Sequence, residues 1–389
     1  MKRCLLLWLS ALFICSSSAQ QAEPKLIPYR IANLWGFSDE KGNIIIPTRF
    51  QEAYLFHDGV AVVKSDNHAT IIHEDGKPII PYRYDYISAS NEGVAVASKQ
   101  GKWTIIDTRG RELTKKTYDA ILPFSEGIAL VKSGSKWGYI NRKGEEVISP
   151  QFDFAAPYSE DMALVANMNL YGFINQKGNL VVPMQYKAAT SFHDGLALVK
   201  KDSLLGYIHD DGRVAIGFLY RNANRFSEGL AAVQKNDSVG FINTSGETVI
   251  AYHYENANNF REGFSLVKRN GKVGFIDKTG NEIVPPQFDA ANDFRSGMAL
   301  FLLNKTWGMV STTGNVTMLP QYNSVKDFSE GFAHVQRDNT WGYIDVNGAE
   351  VIPCKYENAD DFIEGVALVK KNGKWGYINK SGKEFFREQ

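Results

Sequence analysis

The chain repeats itself every 34 residues, with no insertion anywhere. If the first residue of a recurring Trp-Gly pair is set at offset zero, that offset falls at Trp35, Ala69, Trp103, Trp137, Tyr171, Leu205, Val239, Val273, Trp307, Trp341 and Trp375. Seven residues later stands a glycine in every copy, among them Gly42, Gly144, Gly280 and Gly382. Fifteen residues after zero an aromatic recurs, from Phe50 and Tyr84 to Tyr322 and Tyr356. A fixed period of this length marks a unit that cannot bury its apolar surface alone and must stack on its neighbours.

Each copy reads as three short strands. In the last copy VALVKK, residues 366–371, is the first, and Asn372-Gly373 is a two-residue turn suited to positive φ. Residues 374–379 form the second strand, and Asn379-Lys380-Ser381-Gly382 the next turn. A short polar side chain at the first turn position can accept backbone N–H groups, and the closing glycine can turn left-handed. The third strand, as in Glu282 to Val284, is expected often to stop at a proline: Pro47, Pro81, Pro183, Pro285 or Pro353.

Hairpin register sorts the side chains. With Asn372-Gly373 as the turn, Ala367, Val369, Gly376 and Ile378 share one face, and Leu368, Trp375 and Tyr377 share the other. One face is slim and the other bulky, yet both are apolar, so both need cover. The bulky face of one unit is expected to fill the space left by the slim face of the next.

This pattern resembles the WG-repeat (KWG) family, named for WG[FY]I[DN]xxG. It is written here as WGYINRKG, WGYIDVNG and WGYINKSG, with YGFINQKG and VGFIDKTG as variants. The resemblance covers about residues 26–386. It implies a bacterial repeat protein and brings no catalytic residues. Copy two departs most, with Ala69-Thr70 in place of Trp-Gly, and copy three has Trp103-Thr104.

The expected fold is all-β: eleven 34-residue, three-stranded antiparallel units stacked face to face as an open superhelical array. The alternative is a closed propeller-like ring. Propellers typically close with 4–8 four-stranded blades, which favours the open array here.

Ahead of the array, Lys2 and Arg3 precede an apolar run from Leu5 to Ile14, too short for the ~20 residues of a spanning helix. Ser17-Ser18-Ala19 then offers a cleavage site. The expected division is a signal peptide at 1–19, a linker at 20–25 and the array at 26–389, in a protein that is periplasmic, cell-surface or secreted. Lipidation at Cys15 competes with this reading, but Ile14 is a poor residue before a lipidated cysteine. Beyond the signal only Cys354 remains, so no internal disulfide can form and packing must supply stability. The chain carries 43 basic and 43 acidic residues, which gives no basic excess for nucleic acid. After signal cleavage no transmembrane segment is expected.

Trp35, Trp103, Trp137, Trp307, Trp341 and Trp375 form a row that could stack on sugar rings. The same offset accepts Leu205, Val239 and Val273, which points to packing instead. Two rows of loop carboxylates, including Glu126 and Glu262 in one and Asp119 and Asp289 in the other, could bind calcium, although the spacing lacks the density of calcium loops. Bonding to loop N–H groups accounts for them better. No nucleophile elbow, phosphate loop or zinc-binding HExxH is present, so no enzyme, metal or cofactor is expected. The expectation is a rigid binding or scaffold surface for a protein or a cell-envelope polymer. Specificity is expected in the loops after the third strand: 155–158, 221–225, 256–259 and 292–295. Complementary end slabs offer head-to-tail self-association, and a glycan-binding module using the recurring aromatics is the alternative function.

Overall fold

A computed structural model describes residues 24–388. The segment read as a signal peptide, with Cys4 and Cys15, lies outside the described residues. Among the described residues the chain is all β and forms eleven small sheets. The fourth sheet is typical. A two-residue leading strand (Ala120–Ile121) is followed by a second (Ile128–Ser133), a third (Lys136–Asn141) and a trailing strand (Glu146–Phe152), all antiparallel. The leading strand is made from what reads in sequence as the linking loop, so most units have four strands rather than three.

The hairpin register is as expected: Leu368 pairs with Tyr377, Val369 with Gly376 and Ala367 with Ile378. Neighbouring sheets then nest. Leu130, Tyr139, Ile148 and Phe152 of the fourth blade pack on Tyr158, Ala163, Val165 and Ile174 of the fifth, and equivalent clusters recur round the molecule. Each fully buried side chain contributes roughly 1.5–3 kcal/mol, so most of the stability resides between blades. Tyrosine hydroxyls cross the same interface. Tyr118 donates to Glu146 of the next blade at 2.8 Å, and Tyr139 donates to the Ala156 carbonyl at 2.8 Å.

Except at Pro81, where no continuous strand forms, trailing strands do not stop at these prolines. Glu282–Phe288 runs through Pro285 and Pro286, because the ladder is interrupted there: Phe275 faces Val284, but Val273 faces Phe288. At this bulge a missing N–H costs nothing. The bulge also explains the glycine of the Trp-Gly pair. A Cβ on Gly138 would lie 2.5 Å from the Ile148 carbonyl oxygen and 2.6 Å from the Pro150 nitrogen. Where threonine replaces this glycine the trailing strand is lost as a continuous element. Only isolated bridges hold residues 78–84 and 112–118, and Thr70 Oγ1 donates to the Ile80 carbonyl at 2.5 Å.

The expected open array is corrected here: the molecule is a closed ring, a propeller of eleven blades. The C-terminal Phe386–Arg387 supplies the leading strand of the first blade, pairing in parallel with Ile27–Ile31. Arg30 N–H donates to the Phe385 carbonyl and Ala32 N–H to the Arg387 carbonyl, each at 3.0 Å. The buried Arg30 guanidinium donates to the carbonyls of Trp375 and Ala32 and pairs with Glu388. Ile27, Val366 and Phe385 form an apolar cluster across the seam. With the first and last slabs in contact, no end slab is free for head-to-tail growth.

Blades converge towards the axis and diverge outwards. Ile87, Ile121 and Val325 on leading strands are buried, whereas Ile45, Val214 and Leu219 on trailing strands are largely exposed. The leading edges therefore face the axis and the trailing edges form the rim.

Removing residues 384–389 should open the seam. The expected result is a lower thermal midpoint and a longer maximum dimension in solution scattering than for the full chain. An unchanged scattering curve would show that the C-terminal strand does not close the ring.

Candidate interaction surface

The recurring residues act mainly between blades. The six tryptophans are half-buried. Trp137 and Trp341 lie against the inter-blade clusters, and the Lys132 ammonium sits 5.2 Å from the Trp137 ring centroid. Gly42, Gly144, Gly280 and Gly382 all have positive φ, between 77° and 88°. The turn before Gly382 is held by Asn379 Oδ1, which accepts from Ser381 N–H at 3.2 Å and Lys383 N–H at 3.0 Å.

Both carboxylate rows reach backbone N–H groups. Glu126 accepts from the N–H groups of Glu160 and Asp161 one blade on, at 2.9 and 3.0 Å. Glu262 does the same for Ser296 and Gly297. In the second row Asp119 accepts from Gly134 N–H at 2.7 Å and Asp289 from Asn304 N–H at 2.6 Å. Among the described residues no group of three or more His, Cys, Asp or Glu is placed to hold a metal ion.

One set of departures from repetition lies on the leading edge, at offsets 19 and 20. In blades four and five these positions are Leu122-Pro123 and Ala156-Pro157. In blades seven to eleven they are Asn224-Arg225, Asn258-Asn259, Asn292-Asp293, Lys326-Asp327 and Asp360-Asp361. The polar half is wired from blade to blade. Asn258 Nδ2 donates to Asp293 at 2.8 Å, and Asn292 Nδ2 donates to Asp327 at 2.6 Å. A carboxylate can only accept, so these amides are oriented with nitrogen towards the aspartate and oxygen left as acceptor. Arg295 adds an ion pair to Asp327 at 3.4 Å. A groove of about 410 Å³ lies here, lined by Thr190, Leu198, Ala223, Asn224, Arg225, Asn258, Asn259 and Asp293. The buried Asn259 Oδ1 has no hydrogen-bond partner among the described residues.

Three of the loops expected to carry specificity, 221–225, 256–259 and 292–295, contribute to this arc. The fourth, 155–158, lies on the apolar half, and its Tyr158 is core. Sequence reasoning missed Lys326-Asp327 and Asp360-Asp361, although comparing offsets 19 and 20 alone would have found them. It also missed His334. This residue occupies a position that is Leu300 in the blade before and Leu368 in the blade after. Its ring packs edge-on to Trp341, with Nδ1 3.5 Å from Asp361. Burial, helped by the nearby Lys326 charge, outweighs a hydrogen bond to the Asp360 backbone and pushes the imidazole pKa down to about 4. The Asp360 and Asp361 carboxyls are pushed up, chiefly by burial.

The ring, its leading-edge arc and its inter-blade carboxylate links define a repeat propeller with a run of variable residues along its leading edge. The repeat described as WG containing repeat matches residues 35–67, 70–103, 103–137, 137–169, 171–204, 206–237, 240–272, 274–307, 307–341 and 341–375. The chain belongs to the WG-repeat family. No curated protein matches it. Among solved structures it is similar to a eukaryotic initiation factor, at 13% identity over 84% of this chain and 95% of that one, with TM-score 0.48. Dihydro-heme d1 dehydrogenase NirN is similar at 16% identity, over 79% and 76% of the two chains, with TM-score 0.35. An extracellular domain of a two component system from B. thetaiotaomicron is similar at 9% identity, over 93% of this chain and 61% of that one, with TM-score 0.28. At these scores none of the three bears on function.

Two outcomes follow for the side chains. Trp341→Ala should lower stability by about 2 kcal/mol or more in denaturant unfolding, because it vacates space in an inter-blade cluster. No change would mean that the indole is not a packing residue. A histidine whose folded pKa lies below its unfolded value takes up more protons on unfolding, so stability falls as pH drops from about 6.5 towards 4. His334→Leu should flatten that part of the stability curve, measured by denaturant unfolding at pH 7 and pH 4.5, and equal slopes would exclude the assignment.

Proposed function

We propose that the protein is an exported, non-enzymatic binding scaffold that holds a partner polypeptide along the polar leading edge of blades seven to eleven. The observation that carries this reading is the break in repetition. A core needs the same residues in every blade, and offsets 19 and 20 are free to differ because they face the axis. The arc consists of amides, carboxylates and cations engaged with one another, an arrangement suited to recognition through hydrogen bonds rather than to proton or group transfer. Repeat arrays present extended surfaces of this kind, and a ring presents one with a fixed curvature. The basic start, ten-residue apolar run and small residues before Gln20 support export. A glycan platform on the tryptophans is the weaker reading, because those rings are half-covered by blade packing and by side chains such as Lys132.

In-cell crosslinking followed by identification of attached chains tests the proposal. Replacing Arg225, Asn258 and Asn292 with alanine should abolish the specific crosslink while leaving the thermal midpoint within a few degrees. Retention of the same crosslinked partner by that variant would move binding elsewhere on the ring.

A further inference from the structure

Each second strand runs from one face of the ring to the other. Its start pairs with the end of the third strand, as Val366 pairs with Asn379, and its end pairs with the start of the third, as Lys371 pairs with Lys374. The turns before the second strand and the hairpins after it therefore lie on opposite faces, about 20 Å apart for six residues of strand. These two sets of turns carry opposite charge. The eleven hairpins, taken as the five residues before each offset zero, hold 17 basic residues, one of them the buried Arg30, and 4 acidic residues. The ten turns at offsets 21 to 25 hold 2 basic and 10 acidic residues. Other loops do not cancel the difference. The blade-to-blade crossovers on the hairpin face, at offsets 13 to 17, add 6 basic and 8 acidic residues. The turns on the opposite face, at offsets 4 to 8, add 11 of each. Five glutamates at offset nine stand between the faces, paired with bases such as Arg269 and Arg337. Counting all five with the hairpin face still leaves it basic.

We propose that rings of this protein stack coaxially, the basic hairpin face of one on the acidic turn face of the next. The partner is a second copy because the complementary surface is present on the same molecule. It also carries the same repeat, so hairpins and turns meet at one angular spacing all the way round. The contact is heterologous and does not close, which makes the product a column rather than a dimer. It differs from the end-to-end growth expected of an open array, since it uses the faces of the ring instead of slab ends. Attraction between exposed charges is screened over about 8 Å at 0.15 M salt and about 30 Å at 0.01 M, so stacking should depend steeply on salt.

Sedimentation velocity of the full-length mature chain at several concentrations, in about 10 mM and about 500 mM salt, tests this. At low salt the weight-average mass should at least double with rising concentration, and at high salt it should return to that of one chain. Lys99, Lys201 and Lys305 are exposed on the hairpins. The triple variant Lys99→Glu, Lys201→Glu, Lys305→Glu weakens the basic face and should need a higher concentration than the wild type to associate at low salt. So should Glu40→Lys, Glu145→Lys, Asp210→Lys, which changes exposed residues of the opposite face. Mixing the two variants should restore association, because the unaltered acidic turn face of the first complements the unaltered basic hairpin face of the second. Folding of both is checked by the thermal midpoint. A wild-type ring that stays single at low salt, association that persists at high salt, or failure of the mixture to associate would each overturn the proposal. Binding of a single wild-type ring to phosphatidylglycerol vesicles would overturn it too, by assigning the hairpin face to an anionic surface.

Discussion

Everything in this molecule depends on the contact between a bulky sheet face and a slim one. Leu130, Tyr139 and Phe152 project from one blade into the space that Ala163 and Val165 leave on the next. A blade of 34 residues cannot offset its own conformational entropy, which is at least ~1 kcal/mol per residue for the backbone alone. Packed on two neighbours it can. Ring closure ensures that every blade has two neighbours, so no apolar slab face is left facing water.

The polar residues serve the same interface in a different currency. Carboxylates such as Glu126 and Glu262 reach forward to the backbone of the next blade, where N–H groups of tight turns would otherwise lack acceptors. Tyrosine hydroxyls do likewise for Glu146 and for the Ala156 carbonyl. These links repeat because the geometry repeats. Repetition fails elsewhere: at offsets 19 and 20, at His334, and in the charge carried by the hairpins and turns.

Much of this was legible in the residues. The hairpin register followed from the Asn372-Gly373 turn and the alternation around it, since strand periodicity leaves only one pairing that keeps small residues together. The turn glycines and the acceptors ahead of them were legible for the same local reason. The glycine beside the tryptophan was not understood, because the atoms that exclude a Cβ belong to the trailing strand ten or more residues away. The prolines were misread as stops, because a bulge that tolerates them is invisible until the trailing strand is paired. The linking loops were recognised as variable, but their pairing as leading strands was not.

The period, the strand order within a blade and the nesting of large on small were determined by the sequence alone, because each rests on contacts within one unit or between adjacent ones. Open array or closed ring was decided only by tertiary structure. Closure depends on a small rotation at each interface, about 33° for eleven equal steps, and no residue encodes that angle individually. The parallel pairing of Phe386–Arg387 with Ile27–Ile31 joins segments more than 350 residues apart, so it exists only once the accumulated rotation has brought the last blade beside the first.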